Sequence, residues 1–94
     1  MTKAELANEI AERTGIEKVA CIAVIESFVK IISRSLVSGE SVFIRRFGTF
    51  AVVTRKEKKA QNITAGTTVV VPAHNALKFK AAKELKTKIK NQKP

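Results

Sequence analysis

The chain has no tryptophan, no tyrosine and no aspartate, and it has one cysteine and one histidine. Each scarcity closes off a class of chemistry. A single cysteine forms no intramolecular disulfide and supplies no cysteine zinc site. Cys21 sits in an apolar run and reads as a small buried hydrophobe. A single histidine, His74, with no acidic cluster beside it, makes a poor metal ligand or general base. With no aspartate and eight glutamates in all, no carboxylate pair is set for acid–base work. There is no phosphate-binding glycine loop and no internal repeat. The residues therefore imply neither an enzyme nor a cofactor. No apolar signal segment opens the sequence and no run approaches membrane-spanning length, so the expected location is cytosolic. Asn62-Ile63-Thr64 matches the glycosylation acceptor pattern, which carries no weight without a secretory signal.

What is present is basic charge, and it is segregated. Residues 1–44 carry five Lys/Arg against six Glu, whereas residues 45–94 carry thirteen against two, within a formal net charge of +10. A near-neutral half followed by a strongly basic half reads as a scaffold joined to a polyanion-binding surface. Ninety-four residues allow one domain, 1–94, near the lower end of self-sufficiency. Its core must come from Ile, Val, Leu and five Phe, and a core of that size is often helped by oligomerisation.

In chain order, Thr2 with Glu5 three residues later is a capping box for a first helix, which Gly15 should stop. A longer second helix runs to just before Gly39. Ile22, Ile25, Phe28, Val29, Ile32 and Leu36 make one apolar face, and Cys21, Val24 and Ile31 add another beside it. Its charged positions Glu26, Lys30 and Arg34 form a single narrow ladder. So little polar surface calls for cover from a sheet and from a second copy of the chain. Ser41–Ile44 reads as a first strand and 51–53 as a second. Between them Phe47-Gly48-Thr49-Phe50 reads as a turn or bend flanked by core phenylalanines. Residues 73–79 read as the end of an outgoing strand followed by a loop. A last helix is predicted from about Ala81 to Lys90, with a thin stripe of Ala82, Leu85 and Ile89 among lysines. Residues 91–94 should fray.

Between these elements lies Arg55 to Pro72, within an arm of about 54–73. Arg55, Lys56, Lys58 and Lys59 precede a turn-rich centre, and a β-branched return, Thr67–Val71, follows. Two extended runs about a Gly-containing turn read as a β-hairpin. With Ile63 the only large apolar side chain between Arg55 and Thr68, such a hairpin is marginal alone in water. It reads as an arm ordered by a partner, the nucleic-acid backbone.

At this point the chain resembles the HU/IHF family of bacterial nucleoid DNA-bending proteins, over essentially residues 1–90. The motifs that carry the resemblance are Thr2-Lys3-Ala4-Glu5-Leu6, Phe47-Gly48-Thr49-Phe50, Asn62 with Gly66, Val71-Pro72-Ala73, and Phe79-Lys80 with Lys83, Leu85 and Lys86. The resemblance implies an α+β fold: two N-terminal helices, an antiparallel three-stranded sheet with a long protruding β-hairpin arm, and a short C-terminal helix. It also implies an intertwined dimer, either of identical chains or of this chain with a relative, with Ile25, Phe28, Ile32, Phe43, Phe47, Phe50 and Phe79 in its core and interface. Double-stranded DNA would be held by two arms in the minor groove and bent. The implied contacts are Lys3, Arg46, Lys80, Lys83 and Lys86 on the body, and Arg55, Lys56, Lys58, Lys59, Gln61, Asn62, Ile63 and Thr64 on the arm.

This sequence departs from the family pattern in three places. Ile63 stands where the family has its wedge proline, which implies a weaker bend. Gln61 replaces a frequent arginine, and Arg46 a frequent glycine. Few residues suit base-edge reading, so recognition should be shape-driven, favouring bent, nicked or gapped duplexes. A site-specific IHF-like bender and a structured-RNA binder are the alternatives, with RNA also a secondary ligand of the main reading. Membrane binding is disfavoured, because the last helix lacks bulky anchors.

Overall fold

A computed structural model describes residues 1–62 and 64–93. Helix α1 spans Lys3–Thr14. The Thr2 hydroxyl accepts from the Glu5 N–H at 3.2 Å, which satisfies one of the four free donors at the helix start. The helix ends where Gly15, at φ 75°, donates its N–H to the Ala11 carbonyl, a left-handed position that glycine takes without cost. Helix α2 spans Lys18–Val37 and packs on α1. Cys21 is buried, while Ile25, Ile32 and Leu36 along the same stripe are half-buried. Val24, Phe28 and Ile31 face away and remain 65%, 50% and 54% exposed.

Five strands follow: β1 (Val42–Ile44), β2 (Gly48–Arg55), β3 (Lys58–Asn62), β4 (Thr67–Val71) and β5 (His74–Ala81). Helix α3 (Lys83–Lys90) closes the chain. The strands form two antiparallel units, a three-stranded sheet in the order β1-β2-β5 and a two-stranded ribbon of β3 and β4. Residues 56, 57, 72 and 73 belong to neither unit. Pro72 has no N–H to offer a ladder, so the pairing breaks there and the ribbon stands off as an arm. The chain is accordingly long, 57 Å in its greatest extent, with a radius of gyration of 18.7 Å. About 12 Å would suit a compact body of this length.

Three expectations change. The turn between β1 and β2 is residues 45–47, with the Phe47 N–H donating to the Ile44 carbonyl at 3.1 Å. Thr49 and Phe50 are strand, because β2 finds partners along its whole length. The stretch 73–79 is no loop: β5 pairs with β2 from Arg55↔His74 to Gly48↔Ala81. Ala81 therefore belongs to the sheet, and α3 starts two residues later than its apolar stripe alone indicates.

Gly48 is required by close approach. A Cβ there would lie 2.5 Å from the Lys80 carbonyl oxygen and 2.7 Å from the Phe79 ring. Gly48→Ala is therefore expected to destabilise by about 1–3 kcal/mol through overpacking. A lowered urea midpoint at unchanged slope checks it.

One chain alone buries very little. Only Ala7, Cys21 and Ala51 form its buried apolar set among the described residues. Phe47, Phe50 and Phe79 stack on one another with centroids 4.9–6.3 Å apart, yet Phe79 is still 40% exposed and Leu77 beside it 61%. The chain has folded its elements while covering their apolar faces only in part.

Candidate nucleic-acid interface

Directly opposed residues of an antiparallel pair share a face, and faces alternate along each strand. The β2–β5 register therefore sorts the sheet. Phe50↔Phe79 and Val52↔Leu77 lie on the apolar face. Thr49↔Lys80, Ala51↔Lys78, Val53↔Ala76 and Arg55↔His74 lie on the other. Arg55, His74, Lys78 and Lys80 thus share one surface, which runs to the root of the arm. Phe43 pairs with Thr49 and so belongs to this polar surface. It is 72% exposed and stands apart from the Phe47, Phe50 and Phe79 cluster, although the resemblance implied a place in the core and interface.

The arm continues the sorting. Lys58↔Val71 and Ala60↔Val69 alternate with Lys59↔Val70 and Gln61↔Thr68. Lys58 and Lys59 therefore point to opposite faces of the ribbon, as strand periodicity required. At the root, Arg55, Lys56, Glu57, Lys58, Val71 and His74 line a groove of about 560 Å³. Thr64 is exposed in the tip turn. The backbone of Asn62 pairs with Thr67 at the end of the ribbon. Ile63, the expected wedge, lies outside the described residues.

The body cations fall in two places. Lys83 and Lys86 are exposed on α3, with Lys90 on the same helical side. The Ala82 N–H donates to the Phe47 carbonyl at 2.8 Å, which fastens the β1–β2 turn to the start of α3. That turn carries Arg46 at φ 67°, a left-handed conformation that costs a non-glycine residue about 1–2 kcal/mol. Arg46 lines a groove with Glu84, Leu85 and Lys88. The second place is Lys3, at the start of α1, in an ion pair of 3.1 Å with Glu26 of α2. Both partners are half-exposed, and a pair so solvated is worth at most about 1 kcal/mol. The pair therefore holds Lys3 only weakly.

Sequence reasoning missed Lys78 and His74 as members of this surface. The signal was present in the alternation of 74, 76, 78 and 80 against Asn75, Leu77 and Phe79. Reading 73–79 as a strand end with a loop concealed it.

Comparison with known proteins bears on this cationic sheet and arm. The model of the family described as bacterial DNA-binding protein matches residues 1–90. The chain belongs to that family. Among relatives, integration host factor subunit alpha of Glaesserella parasuis is 37% identical over 93 residues, 99% of this chain and 95% of the relative. DNA-binding protein HU of Caulobacter vibrioides is 40% identical over 88 residues, 94% and 96% of the two chains. The Anabaena HU–DNA cocrystal structure superposes with a TM-score of 0.88 at 27% identity, covering 98% of this chain and 100% of that one. HU of Thermotoga maritima superposes with a TM-score of 0.66 at 26% identity, over 95% and 98%. Two N-terminal helices, antiparallel strands and a short C-terminal helix are thus the family architecture. No described helix is long and apolar enough to cross a membrane.

Proposed function

We propose that two copies of this chain assemble into a dimer that binds duplex DNA with low sequence specificity, bending and compacting it. The observation that carries the reading is the division of the β1-β2-β5 sheet. One face is apolar and only partly covered, and the other bears Arg55, Lys78 and Lys80 and leads directly into a cationic arm. The apolar face and the outward stripe of α2 receive the second subunit. The opposite face and the two arms receive DNA.

In this reading Arg55, Lys56 and Lys58 flank the minor groove from the arm root. Lys59, Gln61, Asn62 and Thr64 lie along or near the arm tip, and Ile63 presses between base pairs. Lys80, Lys83, Lys86 and Arg46 hold phosphates from the body, and Lys3 joins them once released from Glu26. The work is electrostatic and mechanical. It needs no catalytic group and no cofactor, and its place is the nucleoid in the cytoplasm. A partner chain of the same family would serve the same geometry as a second copy.

Part of the bending cost is already met in a nicked or gapped duplex, so such DNA should bind more tightly than intact linear DNA. A dimer neutralising about eight phosphates should show a slope of about −7 in log K against log salt. Fluorescence anisotropy against linear, nicked and RNA duplexes measures both. Equal affinity for linear and nicked DNA at physiological salt would sink the bending reading. A preference for RNA would redirect it to structured RNA, and tight binding to a single sequence would redirect it to a site-specific bender.

A further inference from the structure

We infer that the groove at the arm root, formed by Arg55, Lys56, Lys58 and His74, seats a short run of DNA backbone phosphates, and that His74 engages one more of them as pH falls. The inference rests on the DNA-binding reading above.

Position is the first support. His74 opposes Arg55 on the last rung of the three-stranded sheet, immediately before both strands lose their pairing. It lies on the same face as Lys78 and Lys80. Phosphates running from the body onto the arm would pass over this point.

The surroundings are the second. The charged groups lining the groove with the imidazole are Arg55 from β2, Lys56 and Glu57 from the connection, and Lys58 from β3; β4 contributes the uncharged Val71. Three permanent cations against one carboxylate favour an anion in the groove. None of the four is engaged in an ion pair among the described residues, where the pair formed is Lys3–Glu26.

The third support is the tautomer. The His74 Nδ1 lies 2.9 Å from the Pro72 carbonyl oxygen. A carbonyl oxygen only accepts, so Nδ1 carries the hydrogen and Nε2 is the acceptor nitrogen of the neutral ring. In that state Nε2 presents a lone pair, which repels a phosphate oxygen. A proton taken from solvent at Nε2 turns the same atom into a charged donor, while the Pro72 contact holds the ring in place. Histidine is the side chain that changes charge between pH 5 and 8. A bound phosphate favours the charged ring, so binding takes up protons and affinity rises as pH falls through that range.

The test is an anisotropy titration of a duplex DNA over a salt series at pH 5.5 and pH 8, with wild type, His74→Gln and His74→Lys. Two arms engage about two further phosphates at the lower pH. The wild-type salt slope should steepen by about 1.8, at about 0.9 per phosphate, with affinity rising about tenfold. His74→Gln should show the shallow slope at both pH values and His74→Lys the steep one at both. An identical pH response in wild type and His74→Gln would overturn the inference while leaving DNA binding intact. Absence of binding by wild type at either pH would remove the DNA reading itself, and the inference with it.

Discussion

Replacing Phe28 with glutamate should leave a chain that neither dimerises nor holds its fold at micromolar concentration. One chain alone leaves much of its apolar surface open. Among the described residues its buried apolar set is two alanines and Cys21, far short of what ordering a body of this size requires. The missing burial is available on the outward side of α2, where Ala23, Val24, Ser27, Phe28 and Ile31 line a shallow apolar groove. Seating a phenylalanine there contributes about 1.5–3 kcal/mol, and two-fold symmetry counts it twice. A carboxylate in its place costs several kcal/mol per copy, since it would be buried without a partner. The loss on both sides matches or exceeds the roughly 5–15 kcal/mol that holds a small protein folded. Wild type should sediment as a dimer with a melting temperature that rises with protein concentration. Phe28→Glu should sediment as a monomer with coil-like circular dichroism. Lys30→Glu, on the solvated strip of the same helix, should leave both unchanged. A folded Phe28→Glu monomer would show that the core is completed in some other way.

The same incompleteness explains what could be read from the sequence. α1 was legible because its determinants are local: Thr2, Glu5 and Gly15 act within a few residues of themselves. α2 was legible as a helix with too much apolar surface, and its outward stripe is where the surplus lies. β5 was not legible. Pro72 and Asn75 signal a turn, and only pairing with β2 makes His74–Ala81 a strand. Lys78 was lost with it. Gly48 reads in the sequence as a turn glycine. It sits just after the turn, and what demands it is the Lys80 carbonyl and the Phe79 ring across the sheet, contacts no local pattern encodes. Arg46, by contrast, is the residue that takes the left-handed turn position. The family resemblance placed Phe43 in the core and interface. Its alternation with Val42 and Ile44 places it on the other face, and alternation was the better guide.

Removing Arg55 and Lys58 together should weaken DNA binding about a hundredfold or more and roughly halve the salt slope. The two residues come from different strands, β2 and β3, yet line one groove at the arm root, so they act on the same stretch of backbone. Two cations on each of two arms account for about four phosphates, about 3.6 units of slope. From about −7 the slope should fall to about −3.5. The bend should also fall, because arms that no longer grip the backbone cannot hold it curved. Ile63→Ala should separate these effects. Alanine removes no charge, so the slope should stay near −7, while the loss of an apolar wedge reduces the bend. Energy transfer between dyes at the two ends of a duplex reads the bend, and anisotropy over a salt series reads the slope. If Ile63→Ala leaves the bend unchanged, Ile63 only packs against sugar in the groove, and curvature comes from phosphate neutralisation along the arms and body. If it lowers the bend at constant slope, grip and wedge are separate properties of one hairpin. Isoleucine in place of the family proline would then set the bend while leaving the charge-dependent grip untouched.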